Sequence, residues 1–176
     1  GQALASLCQG GPIRLWSTVD GRQIHTLPLS DEDHEVDCFA FSPDGQIIAA
    51  GAFESIVLFS TENGQVLRVF DTEMDDFEFR SLAFSPDGQH LATTHLCPNS
   101  MIRVFNVHDG RILHRLHAHG SGLKMATFSP NGQLITAYDF SGQILQWNTE
   151  TGALVARFEC DGTRMDSLAI SPDGKT

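Results

Sequence analysis

The chain has 176 residues, 41% of them hydrophobic and 19% charged, and its 11 Lys and Arg against 22 Asp and Glu give a formal net charge of −11. That apolar fraction supplies a core and excludes a disordered chain. The acidic balance excludes a nucleic-acid-binding surface, which draws its affinity from Lys and Arg, and no apolar run reaches the roughly 18 residues of a membrane-spanning helix.

In chain order, the first stretch carries predicted strands at 3–8, 12–16 and 23–27, the last two separated by Asp20-Gly21. An acidic segment follows, and then Val36 opens a six-residue run of strand formers ending at Phe41. Ser42-Pro43-Asp44-Gly45 breaks that run. Pro sets φ at the second turn position, Asp tolerates the third, and Gly supplies a left-handed residue, so a hairpin is expected here. Predicted strands at 46–51, 55–59 and 65–70 complete the unit, with Asn63-Gly64 as a second hairpin turn. The same order recurs with strands at 79–84, 89–94, 101–105 and 111–117, and again at 122–128, 133–138, 143–147 and 153–158. A last strand is expected at 164–170.

The turn phrase itself repeats as Ser85-Pro86-Asp87-Gly88, Ser129-Pro130-Asn131-Gly132 and Ser171-Pro172-Asp173-Gly174, at intervals of 43, 44 and 42 residues. A regular period of that length marks an array of one supersecondary unit. No segment sustains the three-and-four apolar spacing of a helix. First strands such as Phe39-Ala40-Phe41 and Leu82-Ala83-Phe84 are apolar on both faces, which places them between layers. Small antiparallel meanders stacked face to face around an axis bury both sides and make a β-propeller; a two-sheet sandwich would not require such regular turn spacing.

These residues resemble the WD-repeat (WD40) β-propeller family. The resemblance rests on the repeated turn, the period, and third strands ending Ile13-Arg14-Leu15-Trp16, Ile56-Val57-Leu58-Phe59, Ile102-Arg103-Val104-Phe105 and Ile144-Leu145-Gln146-Trp147. It implies that Trp16, Phe59, Phe105 and Trp147 pack between neighbouring blades. The Asp that follows the aromatic in the family is Ser17, Ser60, Asn106 and Asn148 here, the Gly-His lead is matched only by Ala118-His119, and Ser141 stands where the Asp before the third strand is expected. The family's His–Ser–Asp–Trp hydrogen-bond network is therefore expected to be intact in no unit, leaving blades held mainly by apolar packing. The expected fold is all-β, a propeller of four-stranded antiparallel blades at about 1–28 (lacking its first strand), 35–71, 78–117 and 122–159, with an orphan first strand at 164–170. That is an open arc of a larger ring, or, if the last strand completes the first blade, a closed ring of four. The chain does not begin with Met and reads as part of something longer.

Two acidic segments are the candidate binding rim: Asp31, Glu32, Asp33 and Glu35, and Asp71, Glu73, Asp75, Asp76 and Glu78. Both fall between the fourth strand of one unit and the first of the next, where charge either protects strand edges or docks a basic partner. His114, His117 and His119 lie without a carboxylate or Cys at ligand spacing and read as a solvated edge. Asp71-x-Glu73-x-Asp75 lacks the central Gly and terminal Glu of a calcium loop. No nucleophile elbow, phosphate-cradling loop or zinc-protease motif is present. Cys8, Cys38, Cys97 and Cys160 are scattered and read as free thiols of a reducing compartment, here the cytoplasm. Together with the resemblance this implies a non-catalytic protein–protein interaction scaffold, without cofactor or metal, binding proteins or peptides and neither nucleic acid nor membrane. The alternatives are a regulatory or sensor module of a larger protein, attached to a kinase or NTPase, and a propeller enzyme.

Overall fold

A computed structural model describes residues 3–8, 11–27, 36–52, 55–72, 78–95, 101–118, 122–160, 165 and 167–174. These residues are all β, with no helix among them. β1 (Ala3–Ser6), β2 (Ile13–Ser17) and β3 (Gln23–Leu27) form a three-stranded sheet. β4 (Val36–Phe41), β5 (Ile47–Ala52), β6 (Ser55–Ser60) and β7 (Val66–Asp71) form the second sheet. β8 (Phe79–Phe84), β9 (His90–His95), β10 (Met101–Asn106) and β11 (Ile112–His117) form the third, and β12 (Leu123–Phe128), β13 (Leu134–Asp139), β14 (Gln143–Asn148) and β15 (Leu154–Glu159) the fourth. Each sheet is a meander of antiparallel neighbours taken in sequence order, as expected for blades. The chain divides into two compact units, Gly1–Asp76 and Phe77–Thr176.

Local chemistry accounts for the turns. In the second blade Ser42 Oγ accepts from Ile47 N at 2.9 Å and donates to Asp44 Oδ1 at 2.6 Å, and that same carboxylate oxygen accepts from Gln46 N at 3.0 Å. Gly45, at φ 72°, returns its N–H to Ser42 O at 2.9 Å. A residue with a Cβ is strained there. Ser85 with Asp87, and Ser129 with Asn131, build the same frame.

The pairing of third and fourth strands breaks at one place in every blade. Register shifts fall between Leu15 and Trp16, Leu58 and Phe59, Val104 and Phe105, and Gln146 and Trp147. The residue skipped on the fourth strand is Ile24, Leu67, Leu113 or Val155, and these are 43%, 53%, 39% and 54% exposed. A bulge of this kind leaves one residue outside the ladder and bends the strand. The skipped apolar side chain faces water at the edge of every sheet, as do the paired Val66, Val69, Leu154 and Phe158.

Burial differs from expectation in one respect. In the second and third blades the most buried strands are the second and third, with Ile48, Ala49 and Ala50 on β5 all at 0% exposure, whereas Phe39, Ala40 and Phe41 on β4 are half-buried. A first strand is paired along one side only, so it lacks the flanking strand that shields its neighbours. The last expected strand also differs: the described residues 165 and 167–170 take no strand assignment, having no partner strand among the described residues.

Within the first unit, Ile13, Leu15 and Leu27 of the three-stranded sheet pack on Val36, Ile48, Ala50, Val57 and Phe59 of the second. Within the second unit, Ala92, Ile102, Val104 and Leu116 pack on Ala126, Ile135, Ala137, Leu145 and Trp147. Within each unit, one blade thus packs on the next through apolar side chains. Burying such side chains contributes about 1.5–3 kcal/mol each. Ser81 Oγ, bonded to Thr94 Oγ1 at 2.9 Å, accepts from Ala126 N at 3.1 Å and adds a polar link between the third and fourth sheets.

Candidate functional site

Of the proposed acidic rim, Asp31, Glu32, Asp33, Glu35, Glu73, Asp75 and Asp76 lie outside the described residues. Asp71 ends β7 and is exposed. Glu78 precedes β8, is exposed, and pairs with Arg80 at 3.2 Å. His34, His119 and Cys97 also lie outside the described residues.

The four aromatics divide by environment. Phe59 and Trp147 are 0% and 2% exposed and lie in the clusters that join two sheets, and Phe105 is 0% exposed. Trp16, on the three-stranded sheet, is half-buried and donates its indole N–H to Ser6 Oγ at 2.8 Å. One link of the polar network expected to be intact in no blade is therefore present in the first.

Neutral side chains replace the Asp that follows the aromatic. Asn106 Oδ1 accepts from His108 N at 2.8 Å, and Asn148 Oδ1 accepts from Thr151 N at 2.9 Å and Glu150 N at 3.1 Å. Ser17 and Ser60 hydroxyls accept from Val19 N and Glu62 N. An oxygen acceptor, not a charge, is what the turn needs. The Asp expected at Ser141 is Asp139, two residues earlier. It is 1% exposed and its Oδ1 accepts from Ser141 N at 2.9 Å, Ser141 Oγ at 2.7 Å and Gln143 N at 2.9 Å. An Asp followed two residues on by Ser and then Gly was the available signal, an Asx-turn.

The histidines of the fourth strands do more than border solvent. A methyl added at Gly64 would lie 3.3 Å from the His25 side chain, and one at Gly152 would lie 2.9 Å from His114 Nδ1. Each imidazole therefore sits on the turn glycine of the following blade. His25 Nε2 also reaches Glu62 O at 2.9 Å. Turn prolines repeat the pattern: Pro86 Cδ faces Gly132 and Pro130 Cδ faces Gly174, each at 3.6 Å from where a methyl would stand. Lys124 Nζ donates to Met165 O and lies 5.8 and 5.3 Å from the Tyr138 and Phe140 ring centroids, so the segment after β15 is tied to the fourth blade.

In the second unit this stacking leaves a groove of about 920 Å3 between the third and fourth blades, on the side of the hairpin turns. Asp87 and His90 border it from one turn, Asn131 and Gln133 from the next, and Glu150 from the turn after β14, with Leu113 and His114 beneath. The Ser85 hydroxyl, then the Gln89 amide, hold the Asp87 carboxyl below the ordinary carboxylate range. Ser42 and Gln46 act likewise on Asp44. On β9 and β10, His95 is 1% exposed, its Nε2 2.9 Å from Thr93 Oγ1 and its ring 4.5 Å from that of Phe79. Burial first, and the Arg103 charge second, push His95 down to about 4. Burial pushes the Cys38 thiol up to about 12, which leaves it protonated and unreactive. Among the described residues no group of three or more His, Cys, Asp or Glu could hold a metal ion.

Comparison with known proteins agrees with this architecture. The family model described as the anaphase-promoting complex subunit 4 WD40 domain matches residues 19–77, and the model described as WD domain, G-beta repeat matches residues 64–106 and 110–148. The latter two matches begin at a fourth strand, so the sequence repeat straddles two sheets. Apoptotic protease-activating factor 1 of Homo sapiens is 34% identical over 86 residues, covering 44% of this chain and 7% of that protein. Telomerase protein component 1 of Rattus norvegicus is 39% identical over 56 residues, covering 31% of this chain and 2% of that protein. The chain thus spans a small fraction of the length of the relatives it matches. With blades of four antiparallel strands, a repeated turn frame and family matches running from residue 19 to residue 148, the chain belongs to the WD40-repeat family.

Proposed function

We propose that the chain is a non-catalytic interaction scaffold that docks basic proteins or peptides on the loops joining its blades. The observation that carries this reading is the distribution of charge: eight of the 22 carboxylates fall at positions 31–35 and 73–78, within two of the three segments that link successive blades, and Asp37 and Asp71 stand on the strands beside them. Apolar stacking joins the two blades within each unit, and same-sign charge displayed on such a support speeds association and selects partners of the opposite sign. The free thiols of Cys8, Cys38 and Cys160 support a reducing compartment such as the cytoplasm. Replacing Asp75, Asp76 and Glu78 together by Ser, and comparing captured proteins at low and high salt, tests the reading. Loss of salt-sensitive partners supports it; capture that is unchanged and insensitive to salt overturns it.

A second reading has its own support. The similar relatives are matched over 7% and 2% of their lengths, so closely related repeats occur inside much larger proteins. On that reading the blades are a regulatory or sensor module, and the docked partner is another part of the same polypeptide.

A further inference from the structure

The groove between the third and fourth blades has the size of a ligand site, about 920 Å3 against a usual range of about 300–1,000 Å3. Its walls are preformed. The turn at Asp87 is closed by Ser85 and Gln89, the turn at Asn131 by Ser129 and Gln133, and the turn at Glu150 by Asn148.

The polar groups on those walls are not consumed by the fold. The second blade gives the contrast: there Thr61 Oγ1 donates to Gly45 O at 2.8 Å, and Glu62 O meets His25 Nε2 at 2.9 Å. At the equivalent position of the fourth blade, the Thr149 hydroxyl is buried with no hydrogen-bond partner among the described residues, and His114 of the third blade, the counterpart of His25, lies against Gly152. Glu150 makes no ion pair among the described residues. Asp87 spends Oδ1 on its own turn and is exposed.

The charge on the groove has one sign. Asp87 and Glu150 border it and no Lys or Arg does. Pro86, Pro130 and Leu113 add apolar surface to the same lining. A planar or elongated cation on an aliphatic stem matches that combination, its charge between the carboxylates and its methylenes on the prolines.

We propose that this groove binds an arginine or lysine side chain of a peptide, held between Asp87 and Glu150. The lining residues are not those of the acidic segments, and the proposal rests on the scaffold reading only in taking the ligand to be a protein segment, so acidic-segment variants and groove variants test the two independently.

The experiment is a titration of the 176-residue chain with acetyl-Gly-Arg-Gly-amide, following backbone amides by heteronuclear NMR. Acetyl-Gly-Glu-Gly-amide is the control ligand. Saturable shifts at Gly132, Thr149 and Glu150 with the Arg peptide alone are expected. Asp87→Asn is safe for the fold, because Asn131 holds the equivalent turn through Ser129 Oγ at 2.6 Å and Gln133 N at 3.1 Å. Both groove carboxylates are exposed. Asp87→Asn and Glu150→Gln should each weaken binding about twofold to fivefold at low salt, and Glu159→Gln should leave it unchanged. Shifts that avoid the groove, equal binding of the Glu peptide, or wild-type affinity in both groove variants would overturn the proposal.

Discussion

Gly152→Ala isolates the contact between an imidazole and the turn of the next blade. Two costs add. At φ 69°, an alanine carries a left-handed penalty of about 1–2 kcal/mol. Its methyl would also stand 2.9 Å from His114 Nδ1 and 3.3 Å from Leu116 Cδ2, an overpacking of the kind that costs about 1–3 kcal/mol. Gly132→Ala is the matched control: φ is 70° but the nearest atom is Pro86 Cδ at 3.6 Å, an ordinary contact, so only the backbone penalty applies. The assay is urea unfolding in a Trp16→Phe background, where fluorescence reports on Trp147, 2% exposed in the core of the second unit. Gly132→Ala should cost about 1–2 kcal/mol and Gly152→Ala about 2–5 kcal/mol. In a double-mutant cycle, His114→Ala should recover about 1–3 kcal/mol of the second value. If Gly152→Ala costs no more than Gly132→Ala, or the coupling is within about 0.5 kcal/mol of zero, His114 is not seated on that turn.

Two further outcomes follow from buried polar groups. His95 is held down to about 4 against an ordinary 6.5, so the unfolded chain takes up its proton first as pH falls. The stabilisation is whole above 6.5 and is lost as pH falls to about 4, a span of about 3 kcal/mol; His95→Gln should flatten that part of a stability–pH curve, and an unchanged slope would refute the assignment. Ser42→Ala removes the acceptor of Ile47 N and the donor to Asp44. It should cost about 1–3 kcal/mol in urea unfolding and raise the Asp44 titration observed by NMR; a stability within about 0.5 kcal/mol of wild type would refute the role given to the turn.

The blade order was legible because it is written in turn chemistry. Pro43 and Gly45 act within four residues of each other, and their effect does not depend on what packs nearby. The aromatic position was legible for the same reason, five residues before a turn glycine. What escaped depends on a neighbour. Leu67 and Val155 stand outside the ladder at a bulge and face solvent, and no alternation rule registers one extra residue. His114 looked like a solvated edge because Gly152, which it covers, arrives 38 residues later in the chain. Asp139 was missed because its acceptor oxygen serves from two residues before the expected place. The groove is the least legible feature of all: Asp87 and Glu150 are 63 positions apart and border one groove only through the stacking of two sheets.

The third copy of the turn phrase uses an amide where the others use a carboxylate, with the same oxygen accepting the same bonds. Protons can discharge Asp44, Asp87 and Asp173 but have no group to act on at Asn131. Souring the solution should therefore loosen these corners unevenly, and the one between β12 and β13 should outlast its counterpart between β8 and β9.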